Sequence, residues 1–296
     1  MNKLIFQPIS SGGWPDYALL DCGNQRKLER FGALILDRFE PDANWSPALN
    51  TRVWNKANFR FDNNQSKNAG SWIKVNDGPR NWSISVDEYR IALKLSHSRH
   101  IGIFPEQYAN WRWLYDQIKQ SEKPIKILNL FAYTGVASII CASAGAQVTH
   151  VDAAKTPITM ARESQKLSGL QSAPIRWIID DVNKFVRREI RRNNHYHGII
   201  MDPPLFGRGP KGEIWKFDQC ISEFLELLDP LFFENGIFFL LTAYNIKQKQ
   251  DFLAHLVNKT LGKFNQSIEY GPLIQLEQSA GRELQQAEYV RCSRRA

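Results

Sequence analysis

The chain has 296 residues, 43% of them hydrophobic and 23% charged, which is the composition of an ordinary globular protein. No apolar run reaches the eighteen residues of a membrane-spanning helix, and the N-terminal stretch lacks the apolar core of a secretory signal. The net charge of +8 is spread along the chain and favours an anionic partner, nucleic acid being the commonest. Cys22, Cys141, Cys220 and Cys292 form no CxxC pair, which argues against a zinc knuckle or disulfide framework and fits a cytoplasmic setting.

In chain order, residues 1–95 read as a small β-rich subdomain. This segment holds Trp14, Trp45, Trp54, Trp72 and Trp82, assigned to its core. Alternation predicts strands at Ser71–Val75 and Trp82–Val86, separated from earlier elements by an Asn-rich loop between Arg60 and Gly70. Residues 96–296 change character. Lys126–Phe131 is an apolar run of strand length, and Thr134–Gly145 a small-residue helix apolar on nearly every side. Gln147–Asp152 is a second strand. Thr156 followed by Pro157 reads as an N-cap and first helical position, with Gly169 ending that helix. Ile175–Ile179 is a third strand, and Val182, Val186 and Ile190 make a helical stripe. Gly198–Asp202 is a fourth strand, stopped by Pro203 and Pro204. Trp215–Leu228 and Lys247–Leu261 read as helices around a fifth strand, Gly236–Thr242. Segments near Ile268–Tyr270 and Ala287–Cys292 are expected to close an antiparallel edge. Alternating strands and helices imply a doubly wound, mostly parallel α/β sheet, which binds ligands beyond the carboxyl ends of its strands.

The residues at those strand ends carry the chemistry. Asn129-Leu-Phe-Ala-Tyr-Thr-Gly135 follows the first strand, and Gly135 permits a tight turn close to a ligand. The absence of GxGxxG makes this loop a poor cradle for a pyrophosphate. Asp152, ending the second strand, suits the diol of a ribose or an N-cap. Of Asp180 and Asp181, one suits an adenine amino group and the other a helix cap, with the choice open. After the fourth strand comes Asp202-Pro-Pro-Leu-Phe-Gly-Arg-Gly209. Its prolines remove two donors and leave a rigid set of acceptors for a base amino group; Phe206 suits stacking and Arg208 a phosphate.

These four ordered motifs resemble class I S-adenosylmethionine-dependent methyltransferases. More narrowly they resemble the branch containing the large-subunit ribosomal RNA cytosine-C5 methyltransferases. NLFAYTG (129–135), VTHVDAAK (148–155), DDVNKF (180–185) and DPPLFGRG (202–209) carry the likeness, with HIGIFPEQ (100–107) and LLDCGNQRKLERFG (19–32) in support. The resemblance implies a seven-stranded Rossmann-like methyltransferase sheet and S-adenosylmethionine as cofactor. It places the methionine end at Asn129, Phe131, Tyr133, Thr134 and Gly135, the ribose at Asp152, and the adenine at Asp181 or Asp180. Asp202, Pro203 and Phe206 would meet the target base. One departure changes the expected chemistry. C5 methylation needs a cysteine nucleophile, which in that branch follows the fifth strand. Here that strand runs into Leu241-Thr-Ala-Tyr-Asn-Ile246. Transfer to a nitrogen of a base in ribosomal or other structured RNA is therefore expected, with Asp202 and the Pro203 carbonyl orienting the nucleophile. The alternatives are C5 transfer with an unforeseen cysteine, an NAD-dependent oxidoreductase, and a non-catalytic cofactor-binding RNA-assembly protein. Two basic features carry less. Arg187, Arg188, Arg191 and Arg192 read as a solvated helix face, and His97, Arg99 and His100 suit either RNA phosphates or an ordinary surface.

Overall fold

A computed structural model describes residues 3–62, 70–246, 248–249, 251–261 and 267–293. The N-terminal elements are β1 (Leu4–Phe6), β2 (Ile9–Ser10), β3 (Tyr17–Gly23), β4 (Arg26–Phe31), β5 (Leu34–Phe39), α1 (Thr51–Trp54), β6 (Phe59–Asp62), β7 (Ser71–Lys74), β8 (Asn81–Val86) and β9 (Tyr89–Lys94). The larger part follows with α2 (Tyr108–Lys119), β10 (Lys126–Leu130), α3 (Val136–Ser143), β11 (Gln147–Asp152), α4 (Lys155–Leu167), β12 (Ile175–Ile179), α5 (Val182–Arg191) and β13 (Gly198–Met201). It ends with β14 (Phe206–Arg208), β15 (Ile214–Lys216), α6 (Phe217–Leu228), β16 (Phe238–Ala243), α7 (Phe252–Leu261), β17 (Ile268–Leu276) and β18 (Glu283–Ser293).

The large sheet runs β1-β17-β18-β16-β13-β10-β11-β12, with β2 also on β17. Its strands β16, β13, β10, β11 and β12 are parallel, and β18 enters antiparallel between β16 and β17. The seven expected strands are thus all present, and two short strands from the N-terminus extend the edge by parallel pairing to β17. Residues 4–10 therefore belong to this sheet, because β17 offers them an unpaired row of backbone groups. Side-chain alternation sorts the core. Leu128, Leu130, Ile199, Met201, Phe239 and Leu241 face α5, α6 and α7, whereas Ile127, Ile200, Phe238 and Leu240 face α2 and α3.

A five-stranded sheet, β3 to β7 in order, stands beside it, with β8 and β9 as a separate hairpin. Asn24 and Gln25, both with positive φ, make the tight β3–β4 turn. Trp14, Trp54 and Trp72 are buried and Trp45 and Trp82 pack partly against the core, as expected for these residues. That core is shared: Trp14 stacks on Tyr108 at 5.4 Å and meets Trp111 of α2, and Val136 and Ile139 of α3 join the same cluster. The β8–β9 hairpin is tied to α4, where Ser164 Oγ accepts from Ala92 N and Ser168 Oγ from Arg90 N.

Several boundaries differ from expectation. Thr156 does not cap α4; Ala154 does, because Asp152 Oδ1 already accepts from Ala154 N at 2.8 Å and starts the helix earlier. Trp215 lies in β15 rather than in the following helix, since Leu205 to Lys216 folds back as a hairpin. The helix expected from Lys247 begins at Phe252, residues 247 and 250 lying outside the described ones. Most of the Asn-rich loop, 63–69, also lies outside them. No described helix is long and apolar enough to cross a membrane.

Candidate active site

The order of the parallel strands reverses between β10 and β13, and a cleft of about 900 Å³ opens beyond their carboxyl ends. Of the expected site residues, Phe131, Tyr133, Asp152, Asp181, Asp202, Pro203 and Phe206 line it. Asn129, Thr134 and Gly135 line a smaller adjoining cavity that shares Phe131, Tyr133 and Asp202 with the cleft. Asp180 lines neither of the two.

The loop after β10 is held in an unusual backbone form. Phe131, Tyr133 and Gly135 all have positive φ, which is uncommon for aromatic residues. Asp152 holds this shape, since its Oδ2 accepts from Tyr133 N at 2.8 Å. Each Asp152 oxygen thus takes one backbone N–H and keeps lone-pair capacity for a diol. Burial pushes this carboxyl upward in pKa while the two N–H groups pull it down. Gly135 is needed for close approach as well as for its φ of +74°: a Cβ there would stand 3.0 Å from Ala161 Cβ. Asn129 is buried and donates to Ser138 Oγ, which contacts His150 Nδ1 at 3.0 Å. Thr134 Oγ1 donates to the Gly102 carbonyl. The polar ends of both side chains therefore brace the loop.

Of the acidic pair after β12, Asp181 supplies the expected cap. Asp181 caps α5 by accepting from Lys184 N at 3.0 Å, and the same residue faces the cleft. Asp180 is ion-paired with Arg188. Arg188 is thus not merely solvated, whereas Arg187 and Arg191 are exposed.

Asp202 sits at the floor of the cleft. Gln107 Nε2 donates to its Oδ2 at 3.4 Å and to the Tyr244 hydroxyl at 3.2 Å, and Asn110 fixes the amide through Gln107 Oε1. Asp202 Oδ1 is shut from solvent and has no partner among the described residues. Burial first, and then the nearby Glu106 carboxyl, push Asp202 well above the usual carboxylate range. Of the two proline carbonyls expected to face outward, that of Pro204 is taken by Trp215 Nε1 at 2.7 Å. Phe206 is exposed on the β14–β15 hairpin, with Arg208 over its ring at 6.0 Å.

Sequence reasoning missed the other walls apart from Arg99 and His100, which it read as suited to RNA phosphates or an ordinary surface. Phe39, Pro41, Asp42, Arg99 and His100 reach the cleft from the N-terminal side. Phe104 packs among His100, Tyr133 and Tyr244 with ring centroids 5.2 to 5.5 Å apart. The segment 100–107 was the available signal for Phe104 and Gln107. No cysteine lines the cleft among the described residues. Cys141 is buried in α3, with its thiol pushed up by burial, and Cys220 packs on α6 against the core. Tyr244 occupies the segment where a C5 nucleophile was sought.

A Rossmann-like sheet with an acid after its second parallel strand and a rigid Asp-Pro-Pro loop after its fourth is the architecture of a nucleoside-cofactor-binding enzyme. Residues 42–232 match the family model of S-adenosylmethionine-dependent methyltransferases, and the chain belongs to that family. The solved SAM-dependent methyltransferase from Agrobacterium tumefaciens is 34% identical, with a TM-score of 0.94 over 99% of this chain and 96% of that one. Ribosomal RNA large subunit methyltransferase K/L of Shewanella frigidimarina is 31% identical over 178 residues, 58% of this chain but 24% of that protein. Ribosomal RNA large subunit methyltransferase I of Aeromonas salmonicida is 35% identical over 124 residues, 42% of this chain and 30% of that protein. The matches span under a third of these curated relatives. Family membership sets aside the NAD-dependent oxidoreductase.

Proposed function

We propose that the protein methylates a base of ribosomal or other structured RNA at nitrogen, using S-adenosylmethionine. The observation that carries the choice of nitrogen is the Asp202 carboxylate at the floor of a cleft that no described cysteine lines. In the cleft, Asp152 would take the ribose hydroxyls, Asp181 the adenine, and the loop from Asn129 to Gly135 the methionine end. The bound cofactor supplies a methyl group already activated by its sulfonium. Asp202 and the Pro203 carbonyl accept hydrogen bonds from the acceptor nitrogen and aim its lone pair, so positioning does much of the work. Ionised Asp202 then takes the departing N–H proton, and its raised pKa makes it a stronger base than an ordinary carboxylate. Phe206 stacks on the target base and Arg208 meets a phosphate. The relatives that are ribosomal RNA methyltransferases support the RNA assignment.

The test is transfer of labelled methyl to ribosomal RNA from cells lacking the protein, followed by mass analysis of the nucleosides. Label in an N-methylated base is expected. Label in 5-methylcytosine would overturn the nitrogen assignment. Cofactor binding without transfer to any RNA would favour the non-catalytic reading.

A further inference from the structure

An arm of the cleft runs between the N-terminal sheet and the end of β16. Lys27, Arg38, Arg99 and His100 line it together with Tyr244 and Asn245. Two of its cations are satisfied: Arg38 makes a two-pronged pair with Glu29, and Lys27 lies 3.0 Å from Glu40. Arg99 is different. Its Nη1 donates to the Phe39 carbonyl, its Nε is sealed from solvent without a partner, and no carboxylate pairs with it among the described residues. Asp42, on the rim, is exposed and not paired with Arg99. Glu40, Asp42 and Glu106 line the arm as well, Glu40 being held by Lys27. His100 is pushed down to about 3 by burial and then by Arg99, Arg38 and Lys27, against the opposing Glu40. A partly buried guanidinium with no carboxylate hydrogen-bonded to it, beside a neutral imidazole, is suited to an incoming oxyanion.

None of the residues after β10, β11 or β12 that would hold the cofactor lines the arm, whereas the residues after β16 do; Arg99, His100, Tyr244 and Asn245 also line the main cleft with Tyr133 and Asp152. We infer that Arg99 forms a phosphate subsite that grips a phosphodiester of the acceptor strand beside the target nucleotide. The choice of a phosphodiester rests on the RNA reading above; the planar guanidinium fork matches two phosphate oxygens. The N-terminal sheet is then part of the substrate site.

The full-length protein is compared with Arg99→Gln and Arg99→Lys, each checked for an unchanged melting profile. Binding is measured for S-adenosylhomocysteine, for inorganic phosphate by ³¹P line broadening, and for extracted ribosomal RNA across a salt series. Arg99→Gln is expected to weaken RNA binding roughly tenfold and to lower the salt slope by about one, with S-adenosylhomocysteine affinity unchanged. Arg99→Lys keeps the charge and retains most of the RNA affinity. Phosphate binding that depends on Arg99, in a protein that binds no RNA, sustains the subsite and defeats the RNA reading. An unchanged RNA affinity and salt slope in a folded Arg99→Gln overturns the subsite. So does a variant that loses S-adenosylhomocysteine instead, which would assign the guanidinium to the cofactor carboxylate.

Discussion

Glu277 joins the two sheets, and replacing it with glutamine should loosen that junction in a pH-dependent way. The residue follows β17 and is 1% exposed. Its Oε1 accepts from Cys22 N of β3 and from Arg282 Nη2, both at 2.6 Å, and its Oε2 accepts from Arg282 Nε at 2.5 Å. Burial alone would push the carboxyl up, but Arg282 and the Cys22 amide prevail and hold it at about 2 instead of 4.5. A carboxyl held at about 2 instead of 4.5 corresponds to about 3 kcal/mol. Because the folded pKa is the lower one, this stabilisation is complete above pH 4.5 and fades as pH falls toward 2. Glu277→Gln should therefore cost about 3 kcal/mol at pH 7 and roughly half of that at pH 3. Arg282 remains 3.2 Å from Asp21, so the guanidinium is not left without a partner. Urea titrations of both proteins at the two pH values, followed by tryptophan fluorescence, give the difference directly. A deficit that is the same at pH 7 and pH 3 would refute the linkage argument. A deficit below about 1 kcal/mol at pH 7 would show the contact to be no stronger than a surface pair.

Asp152→Asn should weaken S-adenosylhomocysteine binding roughly 10- to 100-fold, the range for losing hydrogen bonds to a charged acceptor, and calorimetry would detect it. Gly135→Ala should lower stability by roughly 1–2 kcal/mol for the left-handed backbone, and more from the contacts at Ala161, His150 and Trp177; a melting temperature within a degree of wild type would contradict this. Asp202→Asn should reduce kcat while leaving cofactor affinity intact. The wild-type rate should rise with pH as Asp202 ionises, its limb lying above the usual carboxylate range, and the variant should lose that limb. A variant with the wild-type profile would remove Asp202 as the proton acceptor.

Asp152 and Asp202 were legible because each closes an apolar run of strand length, where a parallel sheet presents its ligand-binding ends. The β11 and β12 boundaries matched the expected spans for the same reason. The positive φ values at Phe131 and Tyr133 were hidden, since nothing in an aromatic side chain announces them. They follow from Asp152, which pulls on the Tyr133 amide across two strands. Asp181 both caps α5 and lines the cleft, because an N-cap at the end of a parallel strand already lies beside it. The β14–β15 hairpin escaped notice because Gly209-Pro210 reads as loop and Trp215 as the start of a helix. Phe39, Pro41 and Asp42 could not be placed, since the cleft gathers them with residues far apart in the chain.

The pairing of β1 with β17 bears on how the protein is made. Leu4 finds its partner in Ile268 and Phe6 in Tyr270, so the two strands that meet lie far apart along the chain. Contacts this distant in sequence slow folding, because a long loop must close before any bond rewards it. Until then β17 has an open edge able to pair with a neighbouring nascent chain. Residues 4–10 are thus a late fastening: a substitution there would act beside β17, a strand distant in sequence.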